Sequence, residues 1–342
     1  YMTPAQVTSY LNGTEAVGVS AAIQKCIDSG AKHIYSPPGT ALIDATIVLD
    51  SKTTLFGVRG ASIWKAKATL PAHTPFPDIA YFILTNRGNY SAKMTEINVK
   101  AMSFDMTDRD VSNAHCVHFR NVEDTHIEES SSTYGDDGFC LTLATNCSVS
   151  DCTGKFHANA AIDVYESSSF VLVTGNVVTG SNGAGRDSLS GILATGLTTL
   201  LAAGTTNFVR IIDNKISDCR LGVWLQGGVF GAQVGSCEYC VVQGNQIYNS
   251  TSFSGIRMSE GKGHVIDGNI INGTWQSGIQ NQGENAAGAA INVVITDNTI
   301  NLANQSANVG NDAIQIDNGA SGCSIADNIV TGSLHKYALS FR

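Results

Sequence analysis

The strongest chemical signal in the chain is a group of acidic residues near its middle. The segment Tyr134-Gly-Asp-Asp-Gly-Phe139 sets Asp136 beside Asp137, and Asp163 and Glu166 follow in the next apolar segment. Hydrolysis of a glycosidic bond needs two carboxyl groups flanking the bond, about 5–5.5 Å apart for retention and about 6.5–9.5 Å apart for inversion. Asp163 with Asp136, Asp137 or Glu166 is therefore the candidate acid and base set. The competing reading of Asp136-Asp137-Gly138 is a plain turn, since Asp-Gly favours one. A lyase or C5-epimerase acting on a uronate needs different groups: a base at C5 and a partner for the sugar carboxylate. His118, Tyr165 and Arg257 could serve there, with His157 at the same level as Asp163, or Ca2+ could neutralise the carboxylate. Glu260, in the loop Ser259-Glu-Gly-Lys-Gly263, is a further candidate to touch substrate. No other metal or cofactor is expected, because Cys237-x-x-Cys240 resembles half a zinc site without a second Cys/His pair.

The elements that must position these residues form a repeat. One apolar position returns as Val117, Phe139, Ile162, Ile192, Val223, Ile256, Ile279 and Ile314, at spacings of 22 to 35 residues. A second register interleaves with it and ends in Gly-Asn or Asp-Asn, at Asn176, Asn214, Asn245, Asn269, Asn298 and Asn328. Cys152 and Ser130 stand where earlier coils would carry that Asn. Asn tolerates left-handed backbone, and its amide bonds neighbouring backbone groups, so stacked Asn residues predict a ladder at a turn. Two short strand registers per repeat, each bounded by turns, mean a solenoid in which a single coil cannot be stable alone. The fold class is all-β: a right-handed parallel β-helix over residues 33–342. Residues 1–32 form an N-terminal segment with a capping helix over 17–28, its stripe being Val19, Ala22, Ile23, Cys26 and Ile27. Such a helix would cover the open end of the solenoid, where strand edges and core would otherwise meet water.

Strand alternation then assigns faces. With the apolar row inward, the next residues point outward: His118, Cys140, Asp163, Leu193, Trp224, Arg257, Gln280 and Gln315. A second outward row holds Arg120, Thr142, Tyr165, Thr195, Gln226, Ser259, Gln282 and Asp317. Aromatic faces and planar amides stacked about 4.8 Å apart suit a polysaccharide, which offers C–H faces and hydroxyls. His118, Tyr165, Trp224, Arg257, Glu260 and Gln280 are the substrate-binding candidates, on the expectation that the row is exposed. Glu129, Asp151, Asp213, Asp297 and Asp327 precede the ladder position and read as structural turn residues.

Composition narrows the classes further. The 342 residues carry a net charge of -9, which argues against nucleic acid as a partner, since phosphate contacts need clustered Lys and Arg. No apolar run approaches the roughly 20 residues of a membrane span, so no membrane insertion is expected. Nine scattered cysteines are an odd number and do not suggest a disulfide framework; most read as buried thiols.

The N-terminal pattern resembles the pectate-lyase-like superfamily. An Ala22-Ile23-Gln24 helix leads to Pro37-Pro38-Gly39-Thr40 and then to Leu55-Phe56-Gly57. Within that superfamily the style is similar to bacteriophage tailspike depolymerases and polygalacturonase-like hydrolases. The segment 134–139 is similar to the Asp-Gly-Phe-Asp strand of the latter, but Cys140 replaces the strand Asp. The next coil reads Asn159-Ala-Ala-Ile162 without an Asp-Asp pair, and the Arg-x-Lys signature is absent. The tailspike resemblance implies a homotrimer in an extracellular or virion setting, with a secreted enzyme as the alternative. The activity it implies is glycoside hydrolysis of a bacterial surface polysaccharide; the alternatives are the lyase or epimerase above and a glycan-binding adhesin that does not cleave.

Overall fold

A computed structural model describes residues 7–8, 18–73, 80–88, 92–180, 188–196, 204–230, 233–282, 289–302, 312–317, 319–332 and 337–341. The chain winds through three eleven-stranded sheets, and every strand pairs in parallel with its counterparts one coil before and after. The first coil sets the order: His33–Tyr35 in the first sheet, Gly39–Ile43 in the second and Ile47–Leu49 in the third. The last coil ends with Ser324–Ala326, Ile329–Thr331 and Tyr337–Phe341. Most strands of the first two sheets have three residues and bury only the middle one, so a single apolar residue suffices for each. Val99, Ile127, Val149, Val173, Ile211, Val242, Ile266 and Ile295 form that buried column in the first sheet. Each contributes roughly 1.5–3 kcal/mol by leaving water. Helix α1 (Ser20–Asp28) buries Ser20, Ala22, Ile23 and Ile27 against the first coil, and Val19 N–H donates to Leu42 O.

The third sheet carries the predicted inward row without a slip. Val117, Phe139, Ile162, Ile192, Val223, Ile256, Ile279 and Ile314 pair in register, and each is at most 2% exposed. Strict alternation fails one residue earlier. His115 pairs with Asp137, and Val117 with Phe139, while Cys116 and Gly138 between them are skipped. Both strands carry one residue at the skipped place, so the break repeats from coil to coil as a stacked kink, called the bulge below: two consecutive residues face the core, and the residue before them turns outward. The skipped column reads Cys116, Gly138, Ala161, Gly191, Gly222, Gly255, Gly278 and Ala313, all small because it lies directly under the second sheet. A Cβ at Gly191, Gly255 or Gly278 would come within 2.4, 2.6 and 2.4 Å of Ile216, Ile271 and Ile300 Cγ2.

The turn between the first and second sheets carries the Asn ladder. Asn214 shows the pattern: its Nδ2 donates to Asn245 Oδ1 at 2.9 Å and to Val173 O at 3.0 Å. Its Oδ1 accepts from Asn176 N and Nδ2. Cys152 N and Met102 N donate to Asn176 Oδ1 and Ser130 Oγ, so Cys152 and Ser130 do occupy the earlier ladder places. The left-handed residue is the one before the Asn, as at Asp213, Asp297 and Asp327, and before Cys152 it is Asp151, so the Asn is used for its amide alone. Asn245→Ala is expected to cost about 2–4 kcal/mol, because it strands buried donors on Asn214 and the Ile211 carbonyl. Asn328→Ala, on the half-buried last coil, is expected to cost less than half as much. Urea unfolding of the two variants checks the order.

Candidate active site

The bulge brings the acidic residues together. Asp137 opens the third-sheet strand Asp137–Thr142, and strict alternation would point it inward with Phe139. Turned outward, it lies on the same face as Cys140 and as Asp163 in the strand Ala160–Tyr165 of the next coil. Carboxylate oxygens of Asp137 and Asp163 and the Cys140 sulfur all lie within 4.8 Å of one another. The same bulge turns His115 outward, where its Nδ1 is 2.9 Å from Asp137 Oδ2, out of line for a hydrogen bond.

The two carboxyl groups are held in opposite states. Burial works to raise the Asp137 pKa. His115, Asn159 Nδ2 donating at 2.9 Å and Ala160 N–H donating at 3.0 Å outweigh it and hold the carboxyl below the usual range. Asp163 has no such support: its Oδ1 is buried without a hydrogen-bond partner among the described residues. Burial first, then the charges of Asp137, Asp136 and Glu166, push its pKa well above the usual carboxylate value. Burial and then Asp137 also raise Asp136, which sits in the bend before the strand and accepts from Asn113 N. Between the acids, burial and the fields of Asp163 and Asp137 keep the Cys140 thiol protonated.

Around this centre, His118 packs edge-on to Phe82, with ring centroids 5.2 Å apart, and its Nε2 lies 2.9 Å from Thr142 Oγ1. Burial and then the neighbouring His115 lower its pKa to about 3, so it is neutral in most conditions. Burial lowers His157 to about 4; it is buried on Ser132 Oγ and does not reach the outward row. Burial, then Glu166 and Asp163, raise the Tyr165 phenol.

Several expectations are corrected. Glu166 lies in the left-handed turn after its strand and is paired with Arg120, both buried, which commits it to an ion pair and withdraws it from the acid and base set. The outward row is not an exposed face. His118, Asp163, Trp224, Gln280 and Gln315 are 8%, 5%, 7%, 3% and 5% exposed, so the row is a recessed floor. Trp224 packs with Ala160, Leu193 and Leu221, donates from Nε1 to Ser259 Oγ, and lies under the Arg257 guanidinium at 5.6 Å. Gln280 accepts from Ser254 Oγ and donates to Gln282 Oε1. Glu260 stands in a left-handed turn after Ile256–Ser259; its Oε2 is buried without a hydrogen-bond partner among the described residues, and burial raises its pKa. The donor set Asp137, Cys140 and Asp163 does not suit Ca2+, which takes six to eight oxygen ligands rather than a thiol.

No family model matches the chain, and no curated protein matches it in sequence. Solved structures do match. The A-module of mannuronan C-5 epimerase AlgE4 from Azotobacter vinelandii is 17% identical, with 95% of this chain and 94% of that chain covered and a TM-score of 0.55. A variant of DFA-IIIase from Arthrobacter chlorophenolicus A6, in complex with DFA-III, is 13% identical over 98% and 85% of the two chains, with a TM-score of 0.68. A variant tailspike protein of Escherichia coli bacteriophage HK620, in complex with a hexasaccharide, is 13% identical over 95% of this chain and 61% of that one, with a TM-score of 0.67. These likenesses agree with the architecture above: in fold, the chain is a right-handed parallel β-helix.

The opposed states of the two carboxyls have a consequence for stability. Asp163 holds its proton to higher pH in the folded chain than in the unfolded one, where it ionises near pH 3.9, so its contribution is full below about pH 3.9 and is lost as pH rises through the raised folded value. Asp163→Asn removes that cost. The variant is expected to be more stable than the parent by about 1–3 kcal/mol at neutral pH, with the gain vanishing below about pH 3.9. Thermal unfolding across this range checks it, and a variant destabilised at neutral pH contradicts it.

Proposed function

We propose that the chain is a glycoside hydrolase acting on a polysaccharide of the bacterial-surface kind, with Asp163 as general acid and Asp137 as its ionised partner. The observation that carries this reading is the pair of carboxyls on adjacent coils with pKa values pushed in opposite directions, the arrangement that divides acid and base roles between like residues. Their close approach fits the shorter separation, about 5–5.5 Å, of a double displacement with retention. In the first step Asp163 gives its proton to the glycosidic oxygen as the bond to the anomeric carbon breaks, and Asp137 bonds to that carbon. In the second, Asp163, now a carboxylate, takes a proton from water; the water oxygen bonds to the anomeric carbon and Asp137 leaves. The names of the similar structures, which include complexes with a hexasaccharide and with DFA-III, support a saccharide as the ligand class.

The electrostatics favour a neutral sugar at the cleavage point. Asp137 is held ionised there, and Arg120 is engaged by Glu166, so a uronate carboxylate would meet negative charge. A lyase or epimerase would need that charge neutralised. The setting we propose is extracellular or on a virion, as a homotrimer; light scattering that gives a monomer counts against the virion assignment.

The test is incubation with a panel of bacterial capsular and O-antigen polysaccharides and plant uronans, followed by size-exclusion analysis. Shortened chains without the ultraviolet absorbance of an unsaturated uronate are expected. That absorbance would mean a lyase, and binding without shortening would mean an adhesin. Asp163→Asn and Asp137→Asn are each expected to lower kcat/KM by about 10²–10⁴-fold. The parent kcat/KM is expected to fall on the alkaline side as pH passes the raised pKa of Asp163, and on the acid side only below the usual carboxylate range.

A further inference from the structure

Away from the acidic site, Cys237 and Cys240 meet where the chain makes an excursion between the third and first sheets. Cys237 lies in the strand Gln233–Glu238, which runs beside Gly204–Asn207 and Gly261–Lys262 in a small separate ladder. The residue before Cys240 is Tyr239, left-handed and 44% exposed. That turn folds Cys240 back so that the two sulfurs are 3.4 Å apart, both fully buried. From the next coil His264, also fully buried, accepts the Cys240 N–H on Nδ1 at 3.3 Å, and its Nε2 has no hydrogen-bond partner among the described residues. Gly261 leaves room for this group: a Cβ there would lie 3.0 Å from His264 Nε2 and 1.9 Å from Cys237 O.

We propose that Cys237 and Cys240 are a redox pair that closes to a disulfide by exchange with a dissolved disulfide. The sulfurs are already in contact, and closing them to about 2.05 Å is a small movement next to the turn at Tyr239. Two further features support the pair as a dithiol. The Cys237 thiol donates to Cys240, which, with His264, lowers the Cys240 pKa to about 5 against the effect of burial, while Cys237 stays protonated. Thiolate attack is the productive step of exchange. When the turn at Tyr239 opens and bares Cys240, its sulfur attacks one sulfur of the external disulfide and expels the other half as thiolate. Cys237, giving its proton to that thiolate, then attacks Cys240 sulfur and expels the second half, which is protonated by solvent. One external disulfide becomes two thiols, and the pair is oxidised by two electrons. The alternative occupant, a zinc ion, would find two sulfurs and one imidazole. The nearby Glu238 carboxylate is taken by Lys262 and Ser236. This inference does not depend on the glycosidase reading.

The experiment is equilibration of the intact protein with reduced and oxidised glutathione at graded ratios, then alkylation in denaturant and peptide mapping. The expected result is that the peptide holding Cys237 and Cys240 escapes alkylation and is lighter by two hydrogen atoms, while the other seven of the nine cysteines are alkylated. Cys237→Ser is expected to hold glutathione on Cys240, because no second thiol resolves the mixed disulfide. Alkylation of both residues at every ratio overturns the proposal. So does glutathione retained on Cys240 in the parent protein, or stoichiometric zinc in the purified protein.

Discussion

Everything specific to the outer face of the third sheet depends on one packing constraint. The second and third sheets approach so closely that the residue before each inward Val, Ile or Phe must also face the core and must be nearly without a side chain. Gly191, Gly222, Gly255 and Gly278 satisfy this by having none, and Cys116, Ala161 and Ala313 by having little. The strand absorbs the extra inward residue as a bulge, and the residue before it turns outward. Where that residue is Ser190 or Leu221 the consequence is only packing. Where it is His115 and Asp137, the bulge assembles a charged centre.

That centre holds groups that pull against the stability of the coil. Asp163 is buried with an unpartnered oxygen beside two other acids, and a hydrocarbon fold gains nothing from such an arrangement. The Asn ladder on the opposite turn is the contrast. Each interior ladder Asn has both amide hydrogens and its carbonyl oxygen in use, so it is buried without penalty and ties each coil to the next. A rigid, fully satisfied scaffold on one side allows unsatisfied groups on the other, and functional sites are where such local cost is expected.

Much of this was legible in the residues. The inward row and the Asn ladder could be read position by position because both repeat, and each depends on a single residue type at a single place. The structural turn acids Glu129, Asp151, Asp213, Asp297 and Asp327 followed from the ladder. The bulge was missed because strict alternation was assumed back through the start of each strand, which sends His115 and Asp137 inward. Its signal was present: a Gly, Ala or Cys precedes every residue of the inward row. The burial of Trp224, Gln280 and His118 was not legible, since Ser259, Ser254 and Phe82, which pack on them, lie in other coils. The Arg120–Glu166 pair was hidden for a related reason, as it joins residues two coils apart.

The central claim is that the bulge places two carboxyls in one recess and holds one protonated and the other ionised. Titration of the protein labelled with carbon-13 at aspartate side-chain carboxyls, followed by nuclear magnetic resonance, tests this most directly, with Asp163→Asn and Asp137→Asn assigning the two signals. The account predicts that the Asp163 signal titrates well above the ordinary carboxylate range and the Asp137 signal below it. An Asp163 signal that titrates at about 3.9, the value of a free aspartate, would contradict it.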